Sequence, residues 1–531
     1  MVEGPIEVTD ELEVTPTAPS RGRGAVVGAL TAAVALGTAE LVAGLVGPAS
    51  SPILAVGSVT IDASPEWLKS FAIRTFGSND KLALVIGIGV ILLLAAVILG
   101  AASVRRPRLA IGGLVVLGAI GAAAAVSRPE GDLVDALPSI VGACAGIVAY
   151  RWLRLAAGLP ERSPADVAAE RSPTIAGYDR RRFLRAGVAA AGIAAAAGGL
   201  GRVLTSRADA QASRADAVIP APSDPAAPVP SGAGFNVPGL SPFVTPNGEF
   251  YRVDTALFVP AIDAAGWSLR VHGMVDRPLV LDYQQLLARP MIERDITLAC
   301  VSNEVGGRYV GNARWIGAPL ADLLDEAGVD PSATQLVSRS SDGFTIGTPT
   351  AIVMDGRDAM LAVAMNGEPL PLEHGFPVRM VVPGLYGYVS ATKWVVDLEL
   401  TTLEAYNAYW IERGWAKEAP VKTQSRIDTP IPGARFSAGT VPIAGVAWAQ
   451  HRGIDRVEVR IDDGEWQEAR LGAEDTIDTW RQWVVRWDAT AGQHSLAVRA
   501  TDGEGETQTT LVEPPFPSGA TGHHTIEVEV I

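Results

Sequence analysis

Two regimes of hydrophobic patterning divide this chain. Up to about residue 207 the apolar residues come in long unbroken runs, and beyond it they alternate with polar residues over short distances. The runs 24–46, 82–104, 109–126, 133–155 and 186–204 are each about as long as a helix needs to cross a bilayer. Between the first two, the mixed stretch 48–80 contains 66–76 (EWLKSFAIRTF), whose spacing predicts a short amphipathic helix at a membrane surface. Arginines flank the runs: Arg21 and Arg23, then Arg105, Arg106 and Arg108, then eight between Arg151 and Arg185. The positive-inside rule assigns these flanks to the cytoplasm, so five crossings leave the C-terminal half outside.

The fifth run follows Asp179-Arg180-Arg181-Arg182-Phe183-Leu184-Arg185 and is only mildly hydrophobic. The pattern fits a twin-arginine export signal, which carries proteins already folded around a cofactor. An ordinary basic flank gives the same orientation. Ala208-Asp209-Ala210 and Ala215-Asp216-Ala217 have the small residues of a cleavage site. With four runs upstream, the expectation is a retained anchor.

In the second half, residues 267–271 alternate like a strand, 319–327 (PLADLLDEA) have helical spacing and 378–383 (VRMVVP) reads as a buried strand. From about residue 437 short strands follow one another, with turn signals at Asp463-Gly464 and Asp502-Gly503. The chain therefore reads as multi-domain. A polar tail over 1–20 precedes an α-helical membrane bundle over 21–207, and a Pro/Ala-rich extended linker covers 208–238. An α+β domain over 239–424 and an all-β immunoglobulin-like sandwich over 425–531 complete it.

Charge follows the same division. Residues 1–207 hold 19 Lys+Arg against 16 Asp+Glu, and residues 208–531 hold 24 against 42, within a chain of net charge −15. So acidic a second half excludes nucleic acid as a partner. The two cysteines, Cys144 and Cys300, fall on opposite sides of the division, which argues against a disulfide. Cys300 is then an unpaired thiol in an exported domain, either a small buried hydrophobe or a residue with chemistry to do. It ends a strand-like run (ITLAC) before a loop containing Gly306-Gly307, where a thiolate is presented to neighbouring loops as a soft metal ligand. All six histidines lie in the second half, so the apolar runs cannot ligate haem through paired histidines. Glu40 lies within the first run, either as a functional acid for protons or quinone or near the outer boundary.

Over residues 240–531 an ordered set of motifs resembles the sulfite oxidase family. These are Phe250-Tyr251-Arg252-Val253-Asp254, the Cys300 segment, Ala313-Arg314-Trp315-Ile316-Gly317, Ser341-Asp342-Gly343-Phe344, Glu373-His374-Gly375-Phe376-Pro377-Val378-Arg379, and Lys393-Trp394. The resemblance implies a molybdenum–molybdopterin cofactor (Moco), with Cys300 as the protein's metal ligand. It implies Cys300, Arg252 and Asp254 as catalytic residues, and Tyr251, Arg252, Asp342, His374, Arg379, Ser390 and Lys393 as cofactor-binding residues. An anionic phosphate requires such cations. Two positions keep a plainer alternative: a backbone-bonded histidine for His374, and a common Asp-Gly turn for Asp342. Arg314 and Trp315 are read as possible buttresses.

Departures bear on the substrate. Asp254 stands where sulfite-oxidising members have histidine, Val305 takes the place of a second active-site arginine, and Trp415 that of a tyrosine. An anionic substrate needs clustered positive charge, so sulfite is in doubt. The leading expectation is a membrane-anchored, extracytoplasmic oxidoreductase moving an oxygen atom to or from a small oxo-acceptor or oxo-donor. Electrons are exchanged with a separate cytochrome or quinone partner, and the resemblance implies a homodimer through the C-terminal domain. A sulfoxide reductase is the alternative within this class. A non-catalytic envelope binding protein and a transporter are the alternatives outside it.

Overall fold

The computed structural model describes residues 20–47, 50–65, 80–128, 131–159, 180–204 and 208–531, with isolated positions between 66 and 79. The 1–19 part of the polar tail, most of the expected amphipathic helix at 66–76, and Asp179 of the twin-arginine pattern lie outside these residues. The chain forms two units, Met1–Ser206 and Arg207–Ile531.

The first unit contains α1 (Arg21–Val46), α2 (Pro52–Ala63), α3 (Asp80–Ser103), α4 (Pro107–Val126), α5 (Leu137–Ala156) and α6 (Arg180–Leu204). All except α2 are long and apolar enough to cross a membrane. Helix α2 corrects the sequence reading, which left residues 52–63 in a mixed segment. Pro52 at its first turn supplies a pre-set φ and loses no intrahelical bond there. Helices apolar on every side gain no facing preference from burial, so small residues set their packing. A β-carbon on Gly28 would come within 2.1 Å of Ala96 O, which shows how closely the α1 and α3 backbones approach. Polar groups also tie the unit. Arg154 Nη1 donates to Ser103 O (2.8 Å), and Ser51 Oγ donates to Glu40 Oε1 (2.6 Å).

The second unit opens with α7 (Ala208–Asp216), within the segment expected to be extended. Alanine-rich sequence favours the helix, and tertiary bonds fix it. Ser213 Oγ accepts from Ala264 N, and Arg214 donates to Pro369 O, Leu370 O and Glu368. Both Ala-Asp-Ala triplets are on or at the end of this helix. Residues 217–238 then run without a regular helix.

The α+β part has two sheets. In the first, β1 (Ser268–Gly273) lies between β2 (Leu279–Asp282) and a parallel β10 (Val395–Thr401), which leads on to β5 (Gln335–Ser340) and β6 (Thr345–Pro349). The second sheet runs β3 (Ile292–Ala299), β4 (Val310–Pro319), β7 (Met360–Met365), β8 (Glu368–Pro369), with β9 (Arg379–Val381) also on β7. Helix α8 (Leu320–Ala327) turns its leucines inward, as its spacing predicts, and Gly328 ends it in the left-handed region.

The C-terminal part is a sandwich. One sheet is β11 (Gln424–Thr429), β13 (Gly439–Trp448), β17 (Arg481–Ala489) and β16 (Arg470–Leu471). The other is β12 (Arg435–Phe436), β19 (His524–Val530), β18 (Gly492–Asp502), β14 (Ile454–Ile461) and β15 (Gln467–Glu468). The sandwich has its own core around Trp483, yet Val446, Trp448 and Trp480 belong to the core of the α+β part. It also covers the open edge of β3: Thr297 N donates to Asp478 O, and Gln450 Nε2 donates to Thr297 O. The strand leading to Cys300 is thereby held along both edges.

Candidate active site

Cys300 follows the last residue of β3, where Ala299 pairs with Val310 of β4. Its amide donates to Tyr309 O, and its own carbonyl accepts from Asn303 N, so the chain turns sharply away at the sulfur. Ser302 N donates to Sγ at 3.4 Å, and the side chain is buried. Burial pushes the thiol pKa up, while the Ser302 bonds and the Lys393 ammonium pull it down. Tyr251 approaches from the preceding loop. A β-carbon on Gly387 would stand 3.7 Å from Ala299 O and 3.8 Å from Tyr251 Oη, so that glycine sits between the phenol and the cysteine strand. Burial, and then the charge of Cys300, hold the Tyr251 phenol protonated well above its ordinary range.

A chain of charges adjoins the sulfur. Arg252 Nε donates to Asp254 Oδ2 at 2.8 Å, and Lys393 Nζ reaches the same oxygen at 2.8 Å. The Asp254 carboxylate is only 5% exposed. Burial lowers the Lys393 pKa to about 8 against the opposing pull of Asp254. Gly375, at φ 111°, brings Arg379 and Lys393 together: a β-carbon there would meet both of theirs at 3.0 and 3.1 Å. Trp394 takes the left-handed region at φ 54°, fixed by its indole donating to Leu372 O and its carbonyl accepting from Ser341 N.

Arg379 is the exceptional member. It is 5% exposed, stacks 4.9 Å above the Trp315 ring and makes one hydrogen bond, Nη1 to His374 O at 3.1 Å. Its buried Nε has no partner, and none of the described carboxylates pairs with it. Burial lowers its pKa to about 10. An uncompensated buried guanidinium is costly unless an anion occupies the space beside it. His374, buried behind it, donates Nε2–H to Asn247 O at 3.1 Å and packs edge-on against Phe250. Burial, reinforced by Arg379 and Lys393, lowers its pKa to about 4, so at neutral pH the ring is uncharged and Nδ1 carries a free lone pair.

The other expected residues are engaged within the fold around this cluster. The Asp342 carboxylate accepts from Phe344 N at 3.3 Å within its own turn, and the turn meets the cluster through Ser341 N donating to Trp394 O. Ser390 is fully buried, and its hydroxyl proton goes to Leu385 O and Tyr386 O. Arg314 is bound to Asp295 on β3, and Trp315 lies under Arg379, so both buttress the cluster from behind. Trp415 packs among Tyr388, Trp410 and Phe516. Sequence reasoning missed the clamp on the loop after Cys300. Arg426 Nη1 donates to Gly307 O at 2.8 Å, and the His524 ring lies directly against Gly306. The side-chain-free Gly306-Gly307 pair was the one local signal that something packs there.

Residues 256–410 match the family described as oxidoreductase molybdopterin binding domain, and 424–498 match the bacterial Ig domain. Mitochondrial sulfite oxidase of Mus musculus is 32% identical over 321 residues, 51% of this chain and 58% of that protein. The chain thus spans little more than half the length of these sulfite oxidases. The uncharacterized oxidoreductase YuiH of Bacillus subtilis (strain 168) is 34% identical over 153 residues, 29% of this chain and 74% of that protein. Among solved structures, the sulfane dehydrogenase SoxCD of Paracoccus pantotrophus aligns with TM-score 0.48 at 26% identity, covering 54% of this chain and 81% of that one. With the molybdopterin-binding match spanning Cys300, His374, Arg379 and Lys393, the chain belongs to the sulfite oxidase family of molybdopterin-dependent oxidoreductases.

Proposed function

We propose that this chain is a membrane-anchored molybdenum oxidoreductase whose second unit works outside the cytoplasm. There it transfers an oxygen atom to or from a small uncharged substrate and exchanges electrons with a separate partner. The single observation that carries this reading is the buried, unpaired Arg379 beside a strand-end thiol. That combination fits an anionic cofactor with a metal. The pterin phosphate answers the free guanidinium, and the Cys300 sulfur offers a soft ligand. When bound, the cofactor supplies the oxygen-atom and two-electron chemistry.

The chain's own residues do the rest. Cys300 would hold the metal, its sulfur oriented by the Ser302 amide. Arg379 and Lys393 would hold the phosphate, and His374, kept neutral, would offer Nδ1 as an acceptor to the pterin. Tyr251 keeps its proton and would offer its O–H as a hydrogen-bond donor on the sulfur side of the site. Ser390 and Asp342 shape the surrounding loops.

Asp254 favours an uncharged substrate. Arg252 and Lys393 both spend hydrogen bonds on this carboxylate, and the phosphate takes Arg379. Asp254 thus offsets positive charge that a substrate anion needs, which favours a sulfoxide-type oxo-donor over sulfite. Five membrane-length helices and their arginine flanks support the anchoring and the orientation. The test is metal analysis of the purified chain followed by parallel turnover assays with artificial electron carriers. Molybdenum stoichiometric with the chain, and turnover of a methyl sulfoxide exceeding that of sulfite, is the expected result. A chain purified without molybdenum from cells competent to make the cofactor contradicts the assignment. Faster sulfite turnover contradicts the substrate reading alone.

A further inference from the structure

The helical unit has a partly open cavity of about 180 Å³ between α1, α2, α3, α4 and α5. Its wall is made of small and apolar residues, Gly28 and Ala35 on α1, Gly121 on α4 and Gly142 on α5 among them, with Tyr150 as an aromatic wall. Two hydroxyls line the same space from different helices, Thr31 on α1 and Ser139 on α5. Each residue is 4% exposed, and neither hydroxyl oxygen has a hydrogen-bond partner. A helical serine or threonine ordinarily bonds to a carbonyl of the preceding turn. Ser103 in the same unit does so, donating to Gly100 O at 2.7 Å. Thr31 and Ser139 do not, which leaves two buried, uncommitted donors in the wall of an apolar space, each costing about 1–3 kcal/mol if unmet.

One water bridging the hydroxyls would leave most of this apolar volume unfilled. A better match is a lipid-soluble molecule that is apolar apart from carbonyl oxygens, which accept hydrogen bonds and offer none. Residues 1–206 contain no histidine, and no metal-holding group occurs among the described residues. We propose that this cavity binds the head group of a quinone, with Thr31 and Ser139 donating to its carbonyl oxygens. The inference rests on the membrane placement of these helices and is independent of the chemistry at Cys300. Acyl lipids share the carbonyl chemistry and are the competing source.

The test is thermal unfolding of the full chain in detergent with a short-chain ubiquinone, a short-chain menaquinone analogue or a monoacyl ester. Thr31→Val with Ser139→Ala removes only the uncommitted hydroxyls, so the double variant should fold and melt at or above the wild-type temperature. Either quinone should raise the wild-type melting temperature by roughly 2–4 °C and shift the double variant by much less. Equal shifts in both proteins, no shift with either quinone, or a shift with the ester alone would overturn the proposal. Molybdenum content is read on the same samples, so failure here is separable from failure of the proposed activity.

Discussion

Two buried arginines in the second unit are solvated in opposite ways. Arg426, at the start of the sandwich, is 8% exposed and fully engaged: Nε donates to Asp428 (2.6 Å), Nη1 to Gly307 O and Nη2 to Ser241 Oγ. Arg379, in the α+β part, is 5% exposed, with one backbone bond and an unpartnered Nε. The first is architecture, since a carboxylate and two oxygen acceptors replace the water it lost. The second is held ready for something not made of protein. A buried charge fully matched by the fold argues for stability, and one left unmatched argues for a ligand.

The comparison breaks most sharply under substitution. Arg426→Met strands the buried Asp428 carboxylate and loosens the loop after Cys300, and it should lower stability by about 3–5 kcal/mol. Arg379→Met should leave the cofactor-free protein as stable or more so, while molybdenum retained on purification falls by at least about tenfold. Melting curves and metal analysis of both variants check this. A large loss of cofactor-free stability in Arg379→Met would make the two arginines alike.

A smaller effect is expected at Asp254. Asp254→Asn leaves Arg252 and Lys393 uncompensated, so anions such as sulfate should inhibit turnover with about tenfold higher affinity. Unchanged inhibition by anions would mean that Asp254 does not set the charge of the mouth.

The smallest effect is in pH. Burial lowers both His374 in the α+β part and His524 in the sandwich to about 4. The unfolded chain therefore takes up these protons first. The stability that the neutral rings contribute is complete above about pH 6.5 and is lost as pH falls from there towards 4, at roughly 1.4 kcal/mol per pH unit for each ring. His524→Gln should flatten the pH dependence of the melting temperature over that interval by about half of the histidine contribution. An unaltered slope would show that His524 is not buried as a neutral ring.

Much of this was legible in the sequence, because local pattern carries local information. Long apolar runs became membrane-length helices, and the motif around Cys300, His374, Arg379 and Lys393 forms one cluster. What stayed hidden depends on contacts between distant residues. Helix α7 is fixed by Arg214 reaching Pro369 and Leu370, and the clamp on Gly306-Gly307 comes from Arg426 and His524, more than a hundred residues away. Nothing in the local pattern around Ser390 foretold that its proton would serve its own turn. Asp254 was visible as a departure, but its bridge between Arg252 and Lys393 needed the fold.

The central claim is that the strand-end thiol of Cys300 is a metal ligand, and X-ray absorption at the molybdenum edge tests it most directly. Wild type and Cys300→Ser are compared at equal molybdenum content. The account predicts one fewer sulfur neighbour around molybdenum in the variant, together with loss of turnover. An identical sulfur shell in the two proteins would contradict it.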